Sequence, residues 1–195
     1  MQFTVESIKY FFQSFHRIIQ ENPEFTPAAV LILLFEKDGQ LHVVFTKRTD
    51  SVKHHKGQIS FPGGTKDEGD ITIIATALRE AEEEIGLTKN NIEVLGLYND
   101  FITPSGFCIT PVIAFFPSMI TFSINPSEVS EVFDVPLSFF LNNQNEQVEF
   151  HIFNGIKRPV YYYYYGNHEI WGATAIMVRS FLLDLAKQNG WKKTL

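Results

Sequence analysis

Three glutamates near the middle of the chain have the spacing of a metal site. Glu80, Glu83 and Glu84 stand at positions i, i+3 and i+4, within roughly 100° of one another on a helix, whereas Glu82 points about 160° away from Glu80. Like charges at this spacing repel one another, so a cation is needed to balance them. Clustered oxygen ligands suit a hard divalent ion such as Mg²⁺ or Mn²⁺. A solvated acidic face is the alternative interpretation.

The residues around these glutamates favour the metal-site interpretation. The turn at Gly63 and Gly64 precedes them, and its missing β-carbons would let the backbone approach the site. Arg79 is adjacent to the first converging carboxylate, and Gly86 is placed to end the helix. An apolar stripe at helical spacing predicts that the opposite side of the helix faces a core; it comprises Ile74, Ala77, Leu78, Ala81 and Ile85.

The segment from Gly64 onward resembles the box of the Nudix family, G-x5-E-x7-R-E-U-x-E-E-x-G-U, where U is apolar. The second half of the box is complete: Arg79, Glu80, Glu83, Glu84, Gly86 and Leu87. In the first half, Asp70 stands where the pattern has its first glutamate, and one extra residue separates it from Arg79. We therefore carry no family role over to Asp70.

The residues just upstream are similar to the motif of the coenzyme A pyrophosphatase subgroup, L-L-T-x-R-S/A-x3-R-x3-G-x3-F-P-G-G. Its spacing is intact, and Thr46, Arg48, Gly57 and the run F-P-G-G that ends at Gly64 match it. Four positions hold other residues: Val44, Phe45, Thr49 and Lys53. A match that runs in register with the box is more specific than a short glycine motif. The resemblance implies that Arg48, Lys53, Gly63 and Gly64 bind substrate.

The family resemblance implies hydrolysis of a pyrophosphate bond. It implies Glu80, Glu83 and Glu84 as ligands of Mg²⁺ or Mn²⁺, with Arg79 holding a carboxylate in place. A coenzyme A substrate, with or without an acyl group, would give 3′,5′-ADP and 4′-phosphopantetheine. Two alternatives stay open: hydrolysis of another nucleoside diphosphate derivative such as ADP-ribose, and a ligand-binding module without catalysis.

Composition sets the class of protein. The chain has 195 residues, 45% of them apolar, and we expect one domain over residues 1–195. A net charge of −6 argues against a nucleic-acid partner, so a small nucleotide-type substrate is expected. The single Cys108 agrees with a cytoplasmic location. No apolar run approaches the roughly 20 residues that span a bilayer, so we expect a soluble protein with no membrane partner.

Periodicity predicts the order of the elements. An N-terminal amphipathic helix is expected at about residues 4–21, and a closing helix at 172–189. A short helix is expected within residues 126–141. Strands are predicted at residues 28–36, 41–48, 92–103, 107–116, 148–153 and 159–165. This order indicates an α+β fold, and the Nudix resemblance implies a mixed β-sheet sandwiched between α-helices.

Three features keep two interpretations each. The basic run from Lys53 to Lys56 would hold phosphates or form a solvated loop. Glu128 and Glu131 would serve as a further metal ligand or general base, or as ordinary surface glutamates beside a helix start. One ring of the five tyrosines from 161 to 165 could stack on an adenine, or the rings pack on the sheet or on a second subunit, which would make a homodimer.

Overall fold

The computed structural model describes residues 3–50, 56–118, 120–153 and 155–190. In these ranges it contains four α-helices: α1 Val5–Ser14, α2 Ile73–Ile85, α3 Leu137–Leu141 and α4 Gly172–Gln188. It also contains eleven strands: β1 Thr26–Lys37, β2 Gln40–Arg48, β3 Ile59–Ser60, β4 Gly63–Thr65, β5 Glu93–Leu97, β6 Phe101–Ile102, β7 Phe107–Phe116, β8 Val129–Pro136, β9 Glu146–Phe153, β10 Ile156–Tyr165 and β11 His168–Trp171. Among the described residues, no helix is long and apolar enough to cross a membrane.

The main sheet is mixed and has eight strands. Its central order is β3-β2-β1-β7-β5; β4 also pairs with β1, β6 with β7 and β8 with β2. Strands β1 and β7 are parallel, whereas the other pairs are antiparallel. The predicted hairpin is present: Lys37 pairs with Gln40 across Asp38 and Gly39, which both have positive φ as a two-residue hairpin turn requires.

Alternate residues of β1 enter two separate cores. Leu31 and Leu33 pack against the apolar stripe of α2, whereas Ile32 and Leu34 lie in the core that contains residues of α1, α3 and α4. This alternation follows from the two-residue period of a strand and leaves helices on both faces of the sheet. The predicted α+β fold with a mixed sheet between helices is confirmed.

Three strands form a second sheet, in the order β11-β10-β9. The tyrosine run lies on its central strand, β10, and its rings point to both faces. Tyr163 is fully buried and its hydroxyl donates to Glu146 at 2.8 Å, while the ring of Tyr161 lies 4.1 Å from the guanidinium of Arg179 on α4. Tyr164 is exposed and bonds to Glu169 on β11. Most of these rings therefore serve packing.

The N-terminal helix is shorter than predicted. It covers Val5–Ser14 instead of residues 4–21, and Phe15 is already extended. Tertiary contacts hold the residues that follow: the ring of Phe15 stacks on Tyr98 at 5.2 Å, and Arg17 pairs with Asp100 at 2.5 Å. The backbone N–H of Ile18 also donates to Asn99. These long-range contacts outweigh the helical periodicity, because an apolar pattern describes only local preference.

Two predicted segments between α2 and β9 differ from expectation. Residues 126–141 contain the expected short helix, α3, but half of them form strand β8, which pairs with β2 from Pro136 back to Val129. The predicted strand 92–103 is divided into β5 and β6. Between them the hydroxyl of Tyr98 donates to Asp184 on α4, and Asp100 accepts from Arg17, so the side chains of this break bond to α4 and to the segment after α1.

Candidate active site

Helix α2 is held firmly at both ends. The Thr72 side chain accepts a hydrogen bond from the N–H of Ala75 at 3.1 Å, which caps the N-terminus. Gly86 ends the helix in the left-handed conformation, and its N–H bonds back to the carbonyl of Ala81. Because Ala77, Ala81 and Ile85 are buried under the main sheet, the rotation of the helix is set as well.

The turn at Gly63 and Gly64 lies directly over the glutamates of α2. Both residues pair with β1, and the N–H of Gly63 donates to a carboxylate oxygen of Glu84 at 3.2 Å. A β-carbon on Gly64 would overlap the carboxylate of Glu80, whereas one on Gly63 would overlap the carbonyl oxygen of Ala29. Glycine is therefore required at each position for a different reason: room for a side chain at Gly64, and room for the neighbouring strand at Gly63.

Glu84 is a buried acid with incomplete compensation. Its side chain is only 3% exposed, and burial raises its pKa to about 8. The N–H of Gly63 and the guanidinium of Arg48, 3.7 Å away, favour the charged form, whereas the negative charges of Glu80 and Glu128 oppose it. A cation beside this carboxylate would remove most of that cost.

Glu80 and Glu128 share the acidic environment of Glu84. Burial raises the pKa of Glu80, partly opposed by Arg79, whose Nη1 lies 2.9 Å from its Oε1. The charge of Glu128 acts on both Glu80 and Glu84, and the Asn125 amide donates to the Glu128 carboxylate at 3.4 Å. Glu131, in contrast, pairs with His168 at 3.0 Å. The structure thus associates Glu128 with the site, and Glu131 with β11.

Arg79 connects the acidic cluster to the loop before α2. Its Nε and Nη2 donate to Asp70 at 3.2 and 3.0 Å, and Nη2 also donates to the carbonyl of Thr65. Its Nη1 donates to Glu83 at 2.9 Å. The hydrogen bond from Arg79 lowers the pKa of Asp70 to about 2. Asp70 is thus a fully paired buried carboxylate that orients the arginine.

The main comparison with known proteins concerns residues 25–151. These residues match the model of the NUDIX domain. The chain belongs to the Nudix family. This confirms the resemblance at the level of the family.

Curated relatives of this Nudix chain have similar length. It is 37% identical over 151 residues to a protein of Photorhabdus laumondii described as uncharacterized Nudix hydrolase NudL, covering 77% of this chain and 80% of the relative. It is also 37% identical over 153 residues to a protein of Yersinia pestis with the same description, covering 78% of this chain and 76% of the relative.

Solved structures share the fold of this Nudix chain. A MutT protein from Methanosarcina mazei superposes with a TM-score of 0.53 and 15% identity, over 91% of this chain and 100% of that one. A MutT/nudix family protein from Enterococcus faecalis superposes with a TM-score of 0.50 and 14% identity, over 97% of this chain and 81% of that one. At these identities the likeness concerns the fold alone.

The structure brings together most of the residues that the Nudix motifs indicate. Arg48, Gly63, Gly64, Glu80 and Glu84 lie around one point between β4 and α2. The side chain of Glu83 is 52% exposed and lies at the edge of the group, bonded to Arg79. Lys53, His54 and His55 lie outside the described residues.

Sequence reasoning left the roles of two acids near this Nudix site open: it assigned no role to Asp70, and it kept two interpretations for Glu128. Asp70 had the spacing of the first box glutamate, which could have indicated a residue that meets Arg79. Glu128 is 44 positions beyond Glu84 and had no spacing signal of its own. Only the folded chain shows that the segment just before β8 reaches α2: the N–H of Asn125 donates to the carbonyl of Glu84 at 2.9 Å, and the charge of Glu128 acts on the Glu84 carboxylate.

The donor chemistry of the Nudix site fits a hard divalent cation together with a phosphate. Among the described residues, no three His, Cys, Asp or Glu side chains are arranged so that they could hold a metal ion as they stand. Glu80 and Glu84 nonetheless offer partly or fully buried carboxylate oxygens, which Mg²⁺ and Mn²⁺ prefer. In the same described part of the chain, the Nε of Arg48 is buried without a hydrogen-bond partner, which suits an anionic ligand.

Proposed function

We propose that this protein hydrolyses the pyrophosphate bond of coenzyme A or of its acyl derivatives. The observation that carries the proposal is the meeting of two residues from the two motifs that are 36 positions apart in sequence: Arg48 of the upstream motif lies 3.7 Å from Glu84 of the Nudix box. In the reaction, the oxygen of one water molecule bonds to a phosphorus atom and the bond from that phosphorus to the bridging oxygen breaks. The products are 3′,5′-ADP and 4′-phosphopantetheine.

The acidic cluster would hold the metal. We assign Glu80, Glu83 and Glu84 as ligands of Mg²⁺ or Mn²⁺. The negative charge of Glu128 would attract the same ions. A bound divalent ion would neutralise the diphosphate and lower the pKa of the attacking water. Burial of Glu84 keeps water away from the carboxylate and strengthens its attraction for a cation, because the local dielectric is low.

Basic and backbone groups would hold the diphosphate. Arg48 lies beside Glu84 with its Nε unpaired in the described part of the chain, so it can donate to a phosphate oxygen. Lys53 would add a second positive charge according to its position in the motif. We assign Gly63 and Gly64 to substrate binding from their position in the motif; their missing β-carbons let β1 and the Glu80 carboxylate approach the turn. Arg79, held by Asp70, would fix the orientation of Glu80 and Glu83.

A second substrate class keeps the same chemistry. Val44 and Lys53 replace a leucine and an arginine of the coenzyme A pyrophosphatase motif, which leaves room for another nucleoside diphosphate derivative such as ADP-ribose. The reacting group, a pyrophosphate linked to a nucleoside, is common to both classes.

The test is product analysis by mass spectrometry. The protein is incubated with coenzyme A, acyl-coenzyme A, ADP-ribose and diadenosine polyphosphates, with Mg²⁺, with Mn²⁺ and with a chelator. We expect metal-dependent release of 3′,5′-ADP and phosphopantetheine. Cleavage of ADP-ribose alone would overturn the substrate and keep the pyrophosphate chemistry, and no cleavage of any compound would overturn the enzymatic proposal itself.

A further inference from the structure

Strand β9 exposes a continuous apolar stripe. Val148, Phe150 and Ile152 alternate along it and lie on one face, with 43%, 60% and 75% of each residue exposed. On β10 the residue opposite Val148 is Tyr161, which lies on the same face of the sheet. The ring of Tyr161 packs toward α4. The amine of Lys157 on β10 lies 4.9 Å from the centre of the Phe150 ring, yet most of that ring stays exposed in the described part of the chain. Single exposed apolar residues are ordinary, but three in register on one strand are typical of an interaction surface.

The stripe lies at the edge of a sheet. β9 is the last strand in the order β11-β10-β9, so one of its edges has no strand partner among the described residues. In an antiparallel pair, hydrogen-bonding residues alternate, so every second residue of β9 turns its N–H and C=O toward the open edge. Such an edge is a template for another strand, and natural proteins usually protect it with charge, proline or a short length. β9 has eight residues and no proline.

The sequence of β9 is complementary to itself about Phe150. If two copies run antiparallel with Phe150 facing its own copy, Val148 faces Ile152 of the other copy and Glu149 faces His151 of the other copy. Apolar residues then meet on one face, and on the other face the Glu149–His151 pairs lie next to the axis with Gln147 facing Phe153 beyond them. Glu149 and His151 already approach within 3.1 Å inside one strand, which shows that they can form such a pair.

We propose that a second copy of this chain pairs with β9 in antiparallel orientation about a twofold axis at Phe150. The two three-stranded sheets then continue across the axis as one sheet, and both open edges are closed. Because an isologous interface repeats each contact, every favourable pair other than the central one counts twice. This inference does not depend on the proposed hydrolysis, because none of its residues belongs to the acidic site.

Light scattering coupled to size-exclusion chromatography tests the interface. We expect the unaltered protein to have twice the chain mass of 22.4 kDa. Phe150→Glu should reduce it to one chain mass, because two buried charges would face each other on the axis. Ile19→Glu is the matched control, since Ile19 is 59% exposed and lies outside β9; it should leave the mass unchanged. A monomeric unaltered protein, or a dimeric Phe150→Glu protein with native circular dichroism, would overturn the proposal.

Exchanging the charges of Glu149 and His151 provides a second test. The side chain of Glu149 is exposed and that of His151 is half-exposed, so these substitutions should not disturb folding. His151→Glu places like charges opposite each other twice and should weaken dimerisation about fivefold to tenfold. The double variant Glu149→His with His151→Glu restores opposite partners and should recover the original dissociation constant. Failure of the double variant to recover would contradict the pairing.

Cross-linking tests the register. In a Cys108→Ser background, Phe150→Cys should form a disulfide-linked dimer on mild oxidation, because position 150 meets itself. Val148→Cys should not, since position 148 lies four residues along the strand from its own copy, about 13 Å away. Cross-linking at position 148 with none at 150 would overturn the axis.

Discussion

The acidic site on α2 and the edge strand β9 are opposite exceptions to the rule that charged groups are exposed and apolar groups are buried. At the site, Glu84 is buried although it is charged in water. On β9, Phe150 is exposed although it is apolar. Each arrangement costs free energy in the isolated chain, because carboxylates lose hydration when buried and apolar rings order water when exposed. Under the two proposals, a cation and a phosphate would relieve the cost at the site, and a second strand would relieve the cost at the edge.

The two regions also differ in how their sequences reveal them. The site combines residues from β2, β4, α2 and the start of β8, so its chemistry depends on long-range contacts. The edge strand is one continuous segment, so its self-complementarity is readable once its exposure is known. A catalytic group can therefore be assembled from distant residues, whereas a strand-pairing surface needs a local pattern and an open edge.

The largest expected effect is that of Glu84→Gln on activity. Loss of a buried metal-binding charge should lower turnover on the substrate found in the product analysis by about 100-fold or more. The same change should raise the free energy of unfolding at pH 7 by about 1 kcal/mol, because the amide still accepts from Gly63 and folding no longer has to protonate a carboxyl whose pKa is raised to about 8. Steady-state kinetics and thermal denaturation measure the two effects.

The control for this variant is Glu82→Gln on the same helix. Glu82 is half-exposed and lies 3.6 Å from Lys89, away from the cluster. The Glu82→Gln variant should have the same turnover and the same melting temperature as the unaltered protein. Equal losses of turnover in the two variants would show that α2 as a whole, and not the buried carboxylate, is sensitive to substitution.

An intermediate effect is expected from the adjacent glycines. In Gly64→Ala the new β-carbon meets the side-chain carboxylate of Glu80 and not the backbone, so turnover should fall about tenfold with a smaller loss of stability than in Gly63→Ala. In Gly63→Ala it meets the backbone of β1, so stability should fall by about 1 to 3 kcal/mol. Gly69→Ala, where a β-carbon meets nothing within 4 Å, is the control. Kinetics and denaturant unfolding of the three variants would show whether the two roles are separable.

The smallest effect is that of Asp70→Asn on stability, and its sign should be opposite to that of Glu84→Gln. Asp70 is fully paired with Arg79, which lowers its pKa to about 2 from an ordinary 3.8. A lowered pKa means that the carboxylate stabilises the fold above pH 3.8 and loses this contribution as the pH falls through about 2. The variant should melt a few degrees lower at pH 7.

Two checks accompany Asp70→Asn: the pH dependence of its melting temperature, and the melting temperature of a second variant, Asp67→Asn. The difference in melting temperature between Asp70→Asn and the unaltered protein should narrow between about pH 4 and pH 2. The carboxylate of Asp67 is largely exposed and 3.6 Å from Arg79, so Asp67→Asn should change the melting temperature less. A difference that stayed constant with pH would show that the amide acts through packing and not through the lost charge.

Several parts of the fold were predictable from local pattern. The stripe on α2 and its terminal glycine placed that helix, and Asp38-Gly39 between two apolar runs placed the β1-β2 hairpin. Strand β7 has the predicted bounds, Phe107–Phe116. The separation of the strands into two sheets was not predicted, since strand propensity does not specify a pairing partner.

The sequence by itself determined which residues can do chemistry. The spacing of Glu80 and Glu84, the glycines at 63 and 64, and the position of Arg48 are local or motif properties, and the family follows from them. Tertiary structure decided which of these groups are buried, paired or exposed: it paired Asp70 with Arg79, associated Glu128 with Glu84, and, within the described ranges, left one edge of β9 without a strand partner. The physical reason is that burial and pairing depend on elements that are remote in sequence, whereas helical and strand periods depend on neighbours.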